Sequence, residues 1–99
     1  MTETLNVDMI KNKLRPIFDA YGIRRATLFG SSAKGTATQN SDIDILVDSG
    51  LKGLRFVGFL EALQSAVKLP VDLLDIRHIE KNSRIEREIQ ETGVVIYEK

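Results

Sequence analysis

Gly30-Ser31 and Asp42-Ile43-Asp44 are separated by ten residues, and these residue types at this spacing can handle a charged phosphate. A glycine brings backbone close to a ligand because it has no Cβ. A helix start after it offers N–H groups that favour an anion, and a serine hydroxyl adds a donor. The apolar run Ala26-Thr27-Leu28-Phe29 ends at the Gly-Ser pair, so the pair sits at the end of a strand. Asp42 and Asp44 open a second apolar run, Ile43 to Val47. Residues two apart on a strand share a face, so both carboxylates project together. Like charges that close call for a proton or a cation. Oxygen-only donors suit Mg²⁺ or Mn²⁺. Each half alone has an ordinary reading, a capped turn for Gly30-Ser31 and a strand edge for the aspartates. The stretch Gly30-Ser31-Ser32-Ala33-Lys34-Gly35-Thr36 is not a Walker A loop, which needs Gly-Lys-Ser/Thr in that order.

A third acidic strand adds weight to the joint reading. In Pro70-Val71-Asp72-Leu73-Leu74-Asp75-Ile76, alternation groups Asp72 with Leu74 and Ile76, and Asp75 with Val71 and Leu73. An unpaired carboxylate among apolar neighbours is costly to bury, and a cation shared with Asp42 and Asp44 removes the cost. Asp72 is therefore the preferred third metal ligand. Asp75 reads as a partner for Arg77 or as a helix cap.

The elements that position these groups follow from periodicity. Val7, Ile10, Leu14, Ile17, Phe18 and Tyr21 share one helical face, with Asn6 as N-cap, Gly22 as stop and a disturbance at Pro16. Ile23 to Phe29 reads as a strand, Ser31 to Ala37 as a short helix, and Thr38-Gln39-Asn40 as a turn into the strand that carries Asp44. Asp48-Ser49-Gly50 ends that strand. A second long helix spans Leu54 to Lys68, and its apolar residues exceed one stripe, so Phe56 or Phe59 is a candidate for contact with another protein. After the strand from Pro70 comes a helix over Asn82 to Thr92 with Ile85 and Ile89 inward, then a strand at Val94-Val95-Ile96-Tyr97. Arg77, Lys81, Arg84 and Arg87 form a basic cluster that reads first as a solvated face paired with Glu80, Glu86, Glu88 and Glu91. Helix and strand alternate four times, which implies an α/β or α+β fold with a small mixed sheet and helices mainly on one face.

Length and composition narrow the function classes. The 99 residues suit one domain, 1–99, burying roughly 60–70% of its unfolded surface. Fourteen basic and fourteen acidic residues cancel, which argues against a nucleic-acid binder held by charge. With no cysteine and one histidine, His78, disulfides, thiolate zinc sites and histidine metal sites are excluded. No apolar run reaches the roughly 20 residues of a membrane span, and the polar start is no signal peptide, so the expected compartment is the cytoplasm.

Taken together, Phe29, Gly30-Ser31, Ala33, Lys34, Gly35 and Ser41-Asp42-Ile43-Asp44-Ile45, followed by the acidic strand at Asp72, resemble the nucleotidyltransferase superfamily of DNA polymerase beta. The resemblance is closest to its minimal nucleotidyltransferases and covers about Arg25 to Ile76. One departure is Lys34, where the family often has arginine; lysine keeps the charge and loses the bidentate fork. The resemblance implies a polymerase-beta-like palm. It implies Gly30, Ser31, Lys34 and Ser41 as nucleotide-binding residues, and Asp42, Asp44 and Asp72 as catalytic ligands of two Mg²⁺ ions with ATP as substrate. It further implies transfer of AMP to a hydroxyl, such as that of a tyrosine, on a HEPN-domain toxin usually encoded alongside, with this chain as antitoxin. Larger relatives carry an added acceptor-holding domain, so a partner or another subunit is expected to complete the site. Two alternatives stay open: an antitoxin that masks its partner without catalysis, and a nucleotidyltransferase acting on a small molecule.

Overall fold

Strict alternation of burial over Ile43–Asp48 sets the layering. Ile43, Ile45 and Val47 are fully buried on one face, while Asp44, Leu46 and Asp48 stand partly exposed on the other, as the two-residue period of a strand requires. The computed structural model describes residues 6–33 and 42–99. These form α1 (Val7–Tyr21), β1 (Arg25–Phe29), β2 (Ile43–Asp48), α2 (Leu54–Val67), β3 (Val71–Asp75), α3 (Arg84–Thr92) and β4 (Val94–Glu98). The sheet order is β3-β2-β1-β4. β1 runs antiparallel to β2 and β4, and β2 runs parallel to β3. Parallel neighbours need a crossover connection, and α2 supplies it. The mixed sheet expected from the alternating pattern is present.

Two helices cover the apolar face. Ile10, Leu14 and Phe18 of α1 and Phe59, Leu63 and Val67 of α2 join Ala26, Leu28, Ile43, Ile45 and Val47 in one core. Phe18 stacks obliquely on Phe59 and Tyr97, with ring centroids 6.0 and 5.3 Å away. α3 approaches the other face: a Cβ on Gly93, just past its end, would lie 3.2 Å from the Thr27 methyl. Thr27 points opposite to Ala26 and Leu28. The single helix there leaves that face partly open.

The ends of α1 are as its sequence requires. Asn6 accepts from the Met9 N–H at 2.8 Å, and Gly22 closes the helix at φ 67°, a left-handed conformation that glycine adopts without strain. The helix runs unbroken through Pro16. Pro16 and Asn12, whose carbonyl it leaves without a donor, are both exposed, so water can satisfy that carbonyl.

Several expectations are corrected. The first strand starts at Arg25, two residues late, although Ile23 is buried. Of the short helix expected over Ser31 to Ala37, the described part is a 3-10 turn at Gly30–Ser32; the rest of that expected helix and the turn at Thr38-Gln39-Asn40 lie outside the described residues. Phe59 is fully buried and offers no surface, while Phe56 is partly buried against the core. The exposed apolar residues of α2 are instead Leu54, at 89%, and Val57, at 48%. α3 begins at Arg84, capped by the Ser83 hydroxyl, which accepts from the Glu86 N–H at 3.1 Å. Ile85 is exposed rather than inward. Among the described residues, the basic cluster makes one ion pair, Arg77 with Asp75, and none with the glutamates of α3.

Asp75 is the buried acid of β3, 1% exposed, whereas Asp72 is exposed. The cost of desolvation therefore falls on Asp75 and not on Asp72, and its remedy is local. Ser49 donates its hydroxyl to Asp75 Oδ2 at 2.5 Å, and the Arg77 backbone N–H and Nε donate to Oδ1 at 3.1 and 3.2 Å. Ser49 Oγ also accepts from the Leu51 N–H, and Arg77 Nη2 donates to the Leu51 carbonyl at 2.6 Å. Burial opposes the Asp75 charge, yet these donors prevail and hold its carboxyl below the usual carboxylate range. The network pins the β2–α2 connection to the end of β3. Asp75→Ala strips this network of its acceptor. At pH 7 it should cost about 2–3 kcal/mol and lower Tm by roughly 10 °C or more. Because the folded pKa lies below the unfolded one, the loss should be full above about pH 4 and fade as acid protonates the wild type. Melting curves at pH 7 and pH 3 check both parts.

Candidate active site

The site forms where β1 and β2 meet. Phe29, the last residue of β1, pairs with Asp44, and Asp44 pairs across the parallel ladder with Asp72. Because the residues are in register, the two carboxylates leave the same face of the sheet side by side. Asp42 stands exposed just before β2 begins, at the mouth of the strand rather than within it. Asp42, Asp44 and Asp72 are thus neighbours on the face opposite the core.

Gly30 turns the chain over these carboxylates. Its φ is 68°, and a Cβ built on it would lie 2.8 Å from Asp44 Oδ2 and 3.1 Å from Glu88 Oε1. Both the conformation and the space require glycine. Ser31 is partly buried in the same turn. Ser32 is fully buried, and its hydroxyl makes a long hydrogen bond, 3.5 Å, to the Asp42 carbonyl. The turn and the strand mouth are therefore tied to each other. Lys34 and Ser41 lie outside the described residues.

Two features were not anticipated. The Gly30 N–H, expected to face a phosphate, donates to Thr92 Oγ1 at 2.9 Å. Glu88 of α3, read as part of a solvated helix face, comes beside Gly30 and Asp44. Glu88 lies in the middle of α3, and no local pattern in the sequence singles it out from the other glutamates of that helix.

Electrostatics mark Asp44 as the centre. Burial first, then the negative charges of Asp72, Glu88 and Asp42, push its pKa up to about 6. Such an excess of negative charge fits a divalent cation, and every donor is an oxygen. Among the described residues, no three acidic side chains close into a ready-made ion cage. Mg²⁺ keeps several waters and takes oxygens from a bound phosphate, so an open carboxylate pair suits it.

The family described as polymerase beta, nucleotidyltransferase, matches residues 12–99. A Methanocaldococcus jannaschii protein, provisionally named a protein adenylyltransferase, is 46% identical over 46 residues, covering 46% of this chain and 50% of that one. The chain thus spans about half the length of that relative. The protein adenylyltransferase MntA of Thermococcus cleftensis is 38% identical over 66 residues, 65% of this chain and 64% of that one. A toxin–antitoxin complex crystallised with AMP-PNP superposes with a TM-score of 0.75 at 27% identity, over 90% of this chain and 73% of that one. A complex of tri-AMPylated HEPN toxin with MNT antitoxin from Shewanella oneidensis gives 0.70 at 22% identity, over 94% and 73%, a likeness of fold alone. The chain belongs to the polymerase beta nucleotidyltransferase family.

Asp44→Asn removes a charge that the folded state disfavours. Its folded pKa, about 6, exceeds the usual 3.8, so its contribution to stability is full below pH 4 and is lost as the pH rises through 6. The metal-free variant should therefore melt with the wild type near pH 4. Above pH 7 it should be more stable by about 1 kcal/mol, roughly 4–8 °C, discounted from the full shift because Asp44 is partly solvated. Millimolar Mg²⁺ should raise the wild-type Tm and close the gap. Gly30→Ala should cost about 1–2 kcal/mol and at least about a hundredfold in nucleotidyl transfer, by straining the turn and displacing Asp44. Paired melting and turnover measurements check this.

Proposed function

We propose that this chain moves AMP from ATP to a hydroxyl, that of a tyrosine, on a HEPN-domain toxin, and acts as its antitoxin. The observation that carries the reading is the in-register pair Asp44 and Asp72 beneath the Gly30 turn. The names of the relatives point the same way, as does the toxin–antitoxin complex with a bound nucleotide analogue.

In this reading the Ser31 hydroxyl and the turn around it bind the β and γ phosphates, with Lys34 and Ser41 as further nucleotide contacts. The Gly30 N–H is committed to Thr92, so its part is to shape the turn rather than to grip. Asp42, Asp44 and Asp72 would hold two Mg²⁺ ions, which supply neutralisation of phosphate charge and acidify the acceptor hydroxyl. Asp72, on the exposed side of the pair, orients that hydroxyl. Its oxygen attacks the α phosphorus, the bond to pyrophosphate breaks, and the hydroxyl proton leaves through the carboxylates to solvent. Positioning and fixed charge provide most of the acceleration in such chemistry. On the same sheet face, toward the Arg25 and Asp48 end of the β1–β2 pair, a groove of about 270 Å³ is lined by Thr27, Leu46, Ile76, Ile89 and Val95; the carboxylates of the site do not line it.

The test is to incubate the chain with ATP, Mg²⁺ and the product of its neighbouring gene, then weigh that product by intact mass spectrometry. One or more adenylyl groups should be gained, and the gain should vanish with Asp42→Asn, Asp44→Asn or Asp72→Asn. A tight complex without any mass gain would overturn catalysis in favour of masking. Neither gain nor complex would move the acceptor to a small molecule.

A further inference from the structure

The hydroxyl of Thr92 occupies a position that the chemistry of phosphate binding does not by itself explain. It accepts from the Gly30 N–H at 2.9 Å and donates to the Glu88 carbonyl at 2.7 Å. It thus joins residues 62 apart in sequence. The second of these bonds is a local one, the i to i−4 bond that serine and threonine make on helices. The first is not local. It takes the N–H of the one residue in the turn whose backbone is left-handed and whose Cα lies against Asp44 and Glu88. The serine of the phosphate turn follows directly in sequence.

α3 has little else to hold it. None of its residues is fully buried, Ile85 is 39% exposed, and its arginines make no ion pairs among the described residues. At its far end Gly93 sits tight against the Ile89 carbonyl and the Thr27 methyl. Its C-terminal half, from Glu88 to Thr92 and on to Gly93, is therefore where the helix is anchored. Threonine at a helix end toward solvent would be unremarkable. Threonine with both hydroxyl functions used, one of them on the catalytic turn, is a strut.

We infer that Thr92 is a positioning residue for nucleotide binding: its hydroxyl fixes the Gly30-Ser31 turn against α3 and keeps it spaced from Asp44. Without the strut the Gly30 N–H turns toward solvent, and the turn loses the single conformation that receives a phosphate. Preorganised donors contribute more than mobile ones because no ordering remains to be done on binding. The consequence for ATP rests on the function proposed above; the strut itself does not.

Thr92→Val keeps the shape and removes the hydroxyl, and Thr92→Ser keeps the hydroxyl and removes the methyl. In the nucleotide-free protein, amide hydrogen exchange at Gly30 should quicken about tenfold in Thr92→Val and stay within about threefold of wild type in Thr92→Ser, with Leu28 and Ile45 unchanged in both. Calorimetry with AMP-PNP and Mg²⁺ should show about a tenfold weaker Kd for Thr92→Val and near-wild-type binding for Thr92→Ser. Unchanged exchange at Gly30 in Thr92→Val overturns the proposal. So does unaltered AMP-PNP affinity alongside faster exchange, or a serine variant that fails as the valine does, since packing of the methyl would then be the cause. A wild-type chain that binds no AMP-PNP would sink the adenylyl-transfer reading, and Gly30 exchange in the two variants would still decide whether the strut exists.

Discussion

The parallel pairing of β2 with β3 sets Asp44 directly beside Asp72, and the rest of the fold holds that like-charge contact in place. Left alone, two carboxylates on adjacent strands would favour a shifted register or a proton. A one-residue shift is closed off because it would turn Ile43, Ile45 and Val47 out of the core. Burial of those three side chains is worth several kcal/mol, on the order of 2 kcal/mol each, and outweighs the repulsion. The repulsion instead appears as the raised pKa of Asp44. The hydrophobic effect on one face of β2 thus maintains an unfavourable charge on the other.

What the sequence made legible follows from this coupling. The alternation of β2 was readable because it has a period of two and a buried face, and it located Asp44 correctly. The Gly-Ser turn was readable from its place at the end of an apolar run. Asp75 as the partner of Arg77 was readable from their nearness in sequence, and both its hydrogen bonds to Arg77 are local. Glu88 and Thr92 were not readable as parts of the site. They reach Gly30 from far along the chain, and no local pattern reports which helix face meets which turn. Phe59 as a contact candidate fails for a related reason. A helix with more than one apolar stripe has two candidate faces, and only the tertiary arrangement decides that Phe59 packs on Phe18 while Leu54 and Val57 face water.

The glycine at position 30 ties these scales together. Its left-handed φ lets β1 end abruptly above Asp44, and its missing side chain leaves room for both Asp44 and Glu88. Its N–H would be an orphan donor at the start of a 3-10 turn, and Thr92 satisfies it. A residue that a local reading assigns to phosphate contact is, in the folded chain, the joint among β1, β2 and α3.

Asp72 and Asp75 lie three apart on one strand, and that odd interval separates their roles. Alternation sends Asp72 to the open face beside Asp44 and sends Asp75 into the protein. Asp75 meets Ser49 and Arg77, which favour its charge. Asp72 adds its negative charge to that of Asp44. The same residue type therefore acts as a brace where donors surround it, and adds to an uncompensated negative patch where acids do. The electrostatic cost stays on the open face, and the opposite side of the strand, where Asp75 is fully hydrogen-bonded, keeps the register from giving way.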